Sequence, residues 1–212
     1  MLIFSPELCL PRDPRETLES VLEWIDVIQI RPKPARPASS ASASSSASSV
    51  YEWCSCVLDV LGAQPSILRP VIVNDRVDVA AALWRRGCAG VHLGQDDCPV
   101  GTAREMLGPE PMIGVSTHDM NQVADLAEEP VDYLGFGPIH ATKTKGYSAG
   151  LGAEACWVAS SASPIPIFPI GGIDTTNIGE LSRLGRAAVG SAILAAEDPA
   201  RAARELRTLL LG

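Results

Sequence analysis

The stretch VIVNDRVDVA at residues 71–80 runs from three apolar residues into Asn74 and Asp75, and from there into Val77, Ala81 and Trp84 at helical spacing. A short apolar run that ends on polar residues and turns into a helix is one strand–helix unit of a parallel sheet. The next segment repeats the order: GVHLGQDD at 90–97 puts Gln95, Asp96 and Asp97 just after Val91-His92-Leu93. Along the chain eight such runs occur, at 2–4, 27–30, 71–73, 90–93, 112–115, 133–136, 167–170 and 187–190. Helical patterns stand between them, such as Leu18, Leu22 and Ile25, then Leu181 and Leu184, with Leu206, Leu209 and Leu210 closing the chain.

Repeated strand–helix alternation predicts an α/β fold, a (β/α)8 TIM barrel built as a single domain over residues 1–212. A doubly wound open sheet is the competing architecture. It fits less well, because no GxGxxG follows the first strand and polar residues close most strands instead of gathering at one switch point. In a parallel barrel the residues that leave the strand ends meet at one mouth, so groups far apart in sequence can surround one ligand.

Composition excludes several classes. The chain has 46% hydrophobic and 20% charged residues, as a soluble globular protein does, and no apolar stretch reaches the ~18 residues of a membrane span. Its start, MLIFSPELCLPRDPR, is broken by Pro6 and Glu7 and lacks the basic flank of a signal peptide, which argues against export. Six cysteines without a CxxC pair read as reduced thiols in a cytoplasmic protein. A net charge of −8 argues against nucleic-acid binding, so an anionic ligand must be held by local cations, with a metal ion to help. Residues 38–49 are alanine and serine only, and predict a low-complexity loop. A second helix is expected from near Val50 to about Leu61.

Gln29, Arg31 and Lys33 follow one another at alternate positions of the second run and so share one side of an extended chain. Two cations there suit a phosphate; a strand end that simply reaches solvent is the plainer alternative. Asn74-Asp75 and Asp97 leave neighbouring strands at the same rim, where magnesium with one or two carboxylates could sit. Helix capping by Asp75 and Asp97 is the plainer alternative. Ser116 ends the fifth run and reads as a hydrogen-bond donor, since no Asp/His pattern marks it as a nucleophile. His92 reads as a satisfied core residue, and the spacing of His118 and His140 supports no zinc site. Thr142-Lys143-Thr144-Lys145, among Gly137, Gly146, Gly150 and Gly152, fits a lid over phosphate, though lysine-rich loops are commonly just solvated. Gly171-Gly172 and Gly190-Ser191 end the last two runs, where barrels often bind phosphate through backbone amides.

These motifs, in order, resemble the thiamine phosphate synthase family: VIQIRPK at 27–33, VIVNDRVDVA at 71–80, GVHLGQDD at 90–97, IGVSTH at 113–118, YLGFGPIHATKTK at 133–145 and PIGGI at 169–173. The resemblance implies a barrel enzyme that joins hydroxymethylpyrimidine diphosphate to a thiazole phosphate and releases pyrophosphate. It implies Asp75 and Asp97 as magnesium ligands, and Arg31, Lys33, Asn74 and Lys145 around the diphosphate. Gln29 would lie beside the pyrimidine and Ser116 at the reacting centre. Thr142 and Thr144 would touch the thiazole, and Gly172 and Ser191 its phosphate. The Ala/Ser tract and the short approach at 185–191 depart from the family pattern. A thiazole tautomerase of the sister branch is an alternative, but that branch usually has a histidine where Pro138 stands. A non-catalytic phosphate-ligand binder is another. Partners are expected to be small molecules; a homodimer suits barrels of this size, although no sequence feature marks an interface.

Overall fold

Apolar runs as short as three residues become strands because each is covered on both faces: Leu2, Phe4, Ile28, Ile30, Val71 and Val73 are all fully buried. The computed structural model describes residues 1–33, 46–64, 66–141 and 149–212. In it β1 (Leu2–Phe4), β2 (Ile28–Ile30), β3 (Val71–Asn74), β4 (Cys88–Leu93), β5 (Met112–Thr117), β6 (Tyr133–Phe136) and β7 (Ile167–Pro169) form one seven-stranded sheet in chain order. All six pairings are parallel. Parallel neighbours need a crossover, and helices provide it: α1 (Pro14–Val21), α2 (Ala47–Gly62), α3 (Val77–Leu83), α4 (Val100–Leu107), α5 (Met120–Asp125) and α6 (Ala153–Ala162). A 3-10 helix (Ile178–Leu184), α7 (Ser191–Leu194) and α8 (Pro199–Leu211) follow β7.

Local chemistry fixes the helix starts. Asp13 and Asp198 each precede a proline, accept backbone amides of the first turn and so cap α1 and α8. The expected helix at Leu181 and Leu184 is a 3-10 helix, which matches the three-residue spacing of Ile178, Leu181 and Leu184. The second helix begins earlier than expected. Ser46 accepts the Ser49 amide at 3.2 Å, and Ala47, Ser48 and Ser49 of the Ala/Ser tract therefore belong to α2. Residues 38–45 of that tract lie outside the described residues.

The expected eighth strand is reduced to two residues. Ala188 bridges Ile170 beyond β7, and Val189 bridges Leu2 of β1, both in parallel. Thus both edges of the sheet hydrogen-bond to one short segment. It cannot be longer, because Gly185 turns the chain into it with φ 62° and Gly190 is already the N-cap of α7.

Glycine shapes the inside of the sheet at one position in particular. Gly114 of β5 pairs with His92 of β4 on one side and Tyr133 of β6 on the other. A Cβ at Gly114 would overlap the Tyr133 ring. The Gly114→Ala substitution is therefore expected to cost at least about 2 kcal/mol through overpacking of the core. A lower urea midpoint at unchanged m-value would register this; an unaltered midpoint would mean that the ring is free to move aside.

Candidate functional site at the carboxyl ends of the strands

The polar rim is held by backbone bonds that continue the sheet past its strands. Arg31 N–H donates to Phe4 O (2.8 Å), Asp75 N–H to His92 O (2.8 Å) and Gly137 N–H to Thr117 O (3.1 Å). Asp75 alone among the described non-glycine residues has positive φ, at 63°. Left-handed backbone is uncommon outside glycine and tends to mark sites where a side chain must be aimed. The plainer capping reading does not describe these acids, since Arg76 and Pro99 occupy the N-cap positions of α3 and α4. Asp97 instead accepts the Gly94 amide through Oδ2 at 2.7 Å, which fixes its carboxylate over the end of β4.

A cavity of about 110 Å³ opens at this rim, and Arg31, Ser116, Gly172 and Ser191 line it together with His118 and Pro138. Its floor is glycine-rich for a steric reason. Gly171 and Gly172 have φ 99° and 64°, and a Cβ on Gly172 would meet Ala141 O at 2.6 Å. His140 N–H donates to Gly171 O at 3.0 Å, so the loop after β6 lies directly on the glycine pair. His118 Nδ1–H donates to Gly137 O at 2.5 Å, which turns its ring toward the same loop. A larger cavity of about 430 Å³ lies at the opposite, amino ends of the strands, among Met1, Asp26, Met112, Asp132 and Phe168; none of the expected site residues lines it.

Gln29 is buried beneath the rim, with its amide nitrogen against Met1 Sδ at 3.8 Å. Lys33 is exposed, and its backbone amide donates to Glu7 Oε1 at 2.8 Å. Asn74, at the end of β3, and Asp75 are half-buried. Gln95 reaches across to Ser116 O at 2.5 Å. Thr142, Thr144 and Lys145 lie outside the described residues. Sequence reading missed the partner of Ser116: its hydroxyl lies 2.9 Å from His92 Nε2, and His92 Nδ1 lies 3.0 Å from Tyr133 Oη. The signal was there, in a histidine amid an apolar run with glycines at the facing strand positions. Among the described residues no group of three or more His, Cys, Asp or Glu could hold a metal.

The chain is thus an α/β protein whose glycine turns, Arg31, Ser116 and Ser191 share one cavity at the carboxyl ends of parallel strands, the place where barrel enzymes keep their sites. The chain belongs to the thiamine monophosphate synthase family, whose model matches residues 1–193. It is 45% identical over 138 residues to a thiamine-phosphate synthase of Synechococcus sp. (strain CC9605), covering 64% of this chain and 38% of that one. It is 44% identical over 144 residues to the thiamine-phosphate synthase of Chloroflexus aurantiacus, covering 66% of this chain and 65% of that one. The matched part thus spans about two fifths of the cyanobacterial relative's length. Among solved structures, thiamine phosphate pyrophosphorylase from Pyrococcus furiosus superposes with TM-score 0.79 at 28% identity, covering all of this chain and 96% of that one. At 19% identity, 3-hexulose-6-phosphate synthase from Salmonella typhimurium shares the fold, with TM-score 0.71 over 99% of this chain and 97% of that one. No helix among the described residues is long and apolar enough to cross a membrane.

Burial gives the site a pH signature. The Tyr133 phenol is pushed up well above its ordinary range, because desolvation disfavours its anion and the charge of Asp132 adds to this. The folded protein therefore keeps this proton at a pH where the unfolded chain, ionising near about 10, has lost it. Stability contributed this way is complete below that pH and falls as pH rises beyond it. Urea midpoints between about pH 10 and 11.5 are expected to fall less steeply for Tyr133→Phe than for the parent; equal slopes would contradict the buried phenol.

Proposed function

We propose that the chain is a thiamine-phosphate synthase, joining hydroxymethylpyrimidine diphosphate to a thiazole phosphate with release of pyrophosphate. The observation that carries this reading is the meeting of Arg31, Ser116, Gly172 and Ser191 around one rim cavity. Membership of the thiamine monophosphate synthase family supports it. We read Ala188 and Val189 as a shortened eighth strand of a single-domain (β/α)8 barrel over residues 1–212. Bonds from Ala188 N–H to Pro169 O and from Ile3 N–H to Val189 O, both 2.8 Å, support that reading. A cytoplasmic setting accompanies it, in keeping with six free thiols.

In this reading Arg31, Lys33, Asn74 and Lys145 bind the diphosphate. Their charges and donors would stabilise the negative charge that builds on the diphosphate as its bond to the pyrimidine methylene breaks. Gln29 and Ser116 orient the pyrimidine, Thr142 and Thr144 contact the thiazole, and Gly172 and Ser191 hold its phosphate. Holding the two rings side by side turns an encounter into an intramolecular step. The thiazole nitrogen captures the pyrimidine cation, and no protein nucleophile is needed.

Asp75 and Asp97 are the residues that would hold magnesium. The donor set fits a hard ion: both are carboxylates, each next to a strand end, with no thiolate or imidazole cluster among the described residues. When bound, the ion supplies positive charge to the departing diphosphate.

Purified protein with magnesium and both phosphorylated substrates is expected to form thiamine phosphate and pyrophosphate in equal amounts, and EDTA to stop it. Asp97→Ala is expected to lower turnover by roughly 100-fold with little change in melting temperature. No product from the parent protein would end the synthase reading, and an undiminished rate in the variant would remove Asp97 from the metal site.

A further inference from the structure

A row of polar groups crosses the interior directly beneath Ser116. Tyr133 Oη lies 3.0 Å from His92 Nδ1, and His92 Nε2 lies 2.9 Å from Ser116 Oγ. His92 and Tyr133 are buried, whereas Ser116 opens onto the rim cavity. Strand register explains how a residue of β6 reaches one of β4 across β5. His92, Gly114 and Tyr133 stand in one row, and the missing side chain of Gly114 leaves the space that the phenol ring fills. Gly135 does the same for the histidine, since a Cβ there would approach His92 Cε1 to 3.3 Å. The two rings stack at 28° with centroids 5.4 Å apart, and Phe168 packs edge-on against Tyr133.

From these contacts we infer that Tyr133 and His92 are positioning residues that fix Ser116 as a hydrogen-bond donor toward the rim cavity. The direction of each bond follows from what each group can do. The buried phenol keeps its proton, and His92 Nδ1, 3.0 Å away, is the acceptor that faces it, so the phenol O–H donates to Nδ1. His92 is then the neutral tautomer with its proton on Nε2. That proton is donated to Ser116 Oγ, and the serine O–H is left to point outward. A Ser–His pair resembles an activated nucleophile, but here the third member is a hydrogen donor and not a carboxylate. The histidine therefore cannot take the serine proton, and the serine stays a hydroxyl. The group it recognises is an acceptor, such as a ring nitrogen of a heteroaromatic substrate, and an otherwise similar ring with C–H at that position would be refused.

This inference rests on the proposed synthase reading for its kinetic consequence, but not for its physical content. The full chain has three histidines, so the His92 ring nitrogens can be assigned in long-range 15N–1H NMR spectra by comparison with His92→Asn. The proton is expected on Nε2 in the parent protein and spread over both nitrogens in Tyr133→Phe. A parent protein with the proton on Nδ1 would overturn the proposal whether or not the enzyme turns over. Should Tyr133→Phe fail to fold, the parent tautomer still decides. In the two-substrate assay Tyr133→Phe is expected to lower kcat/KM about tenfold, the loss of roughly one well-placed hydrogen bond. In the Ser116→Ala background the same substitution is expected to change nothing further. Independent, multiplying losses would mean that Tyr133 does not act through Ser116. Absence of turnover in the parent would sink the synthase reading and leave the tautomer measurement to judge the relay.

Discussion

Backbone hydrogen bonding between parallel neighbours, strand after strand in chain order, is the constraint on which the site depends. Because all seven strands run the same way, their carboxyl ends form one rim, and residues more than 150 positions apart can face one cavity, as Arg31 and Ser191 do. The ladder does not stop where the strands do. The amides of Arg31, Asp75, Gly137, Ile139 and His140 each donate to a carbonyl of the adjacent strand or its extension. The described part of the rim therefore continues the hydrogen bonding of the sheet, which suits the proposed reaction, one that depends on positioning and not on a reactive side chain.

Much of this was legible in the sequence, and what was not has physical reasons. Apolar runs of three or four residues located all seven strands, because strands buried on both faces have no polar alternation to obscure them. The run at 187–190 looked equally strong, yet only Ala188 and Val189 pair, since glycines at both ends turn the chain before a third residue can. Alternation along β2 put Gln29, Arg31 and Lys33 on one side but could not give their depth: Gln29 is buried, Arg31 lines the cavity and Lys33 is exposed. Depth depends on the stagger between strands, and no single strand encodes it. The same limit hid the bond between His92 and Ser116, which are 24 positions apart and meet only through register.

Electrostatics gives the site its second requirement. A chain with net charge −8 repels phosphate at long range, so the proposed binding of phosphorylated substrates would rest on short-range donors at the rim. Arg31 and the amides of the glycine pair offer such donors at the rim. In the proposed site Asp75 and Asp97 would work against them unless a cation intervened, because a bare carboxylate repels phosphate. Asp75 is nevertheless held in left-handed backbone, and Asp97 is fixed by the Gly94 amide. Both acids are thus constrained beside strand ends, which supports the proposal that they would hold magnesium there.

Polar groups in the interior pose the converse question. An apolar core could fill the space between β4 and β6 as densely, and a buried histidine or phenol without partners would cost about 1–3 kcal/mol. Here each has its partners, and Gly114 and Gly135 on the intervening and neighbouring strands give up their side chains to admit the rings. Two glycines within strands sacrifice packing and raise the entropy lost on folding. Such a concession gains nothing for stability, since hydrophobic residues would pack as well without it. What it secures is direction: a chain of donors that ends on one hydroxyl at the cavity wall, whose orientation no single neighbour could set.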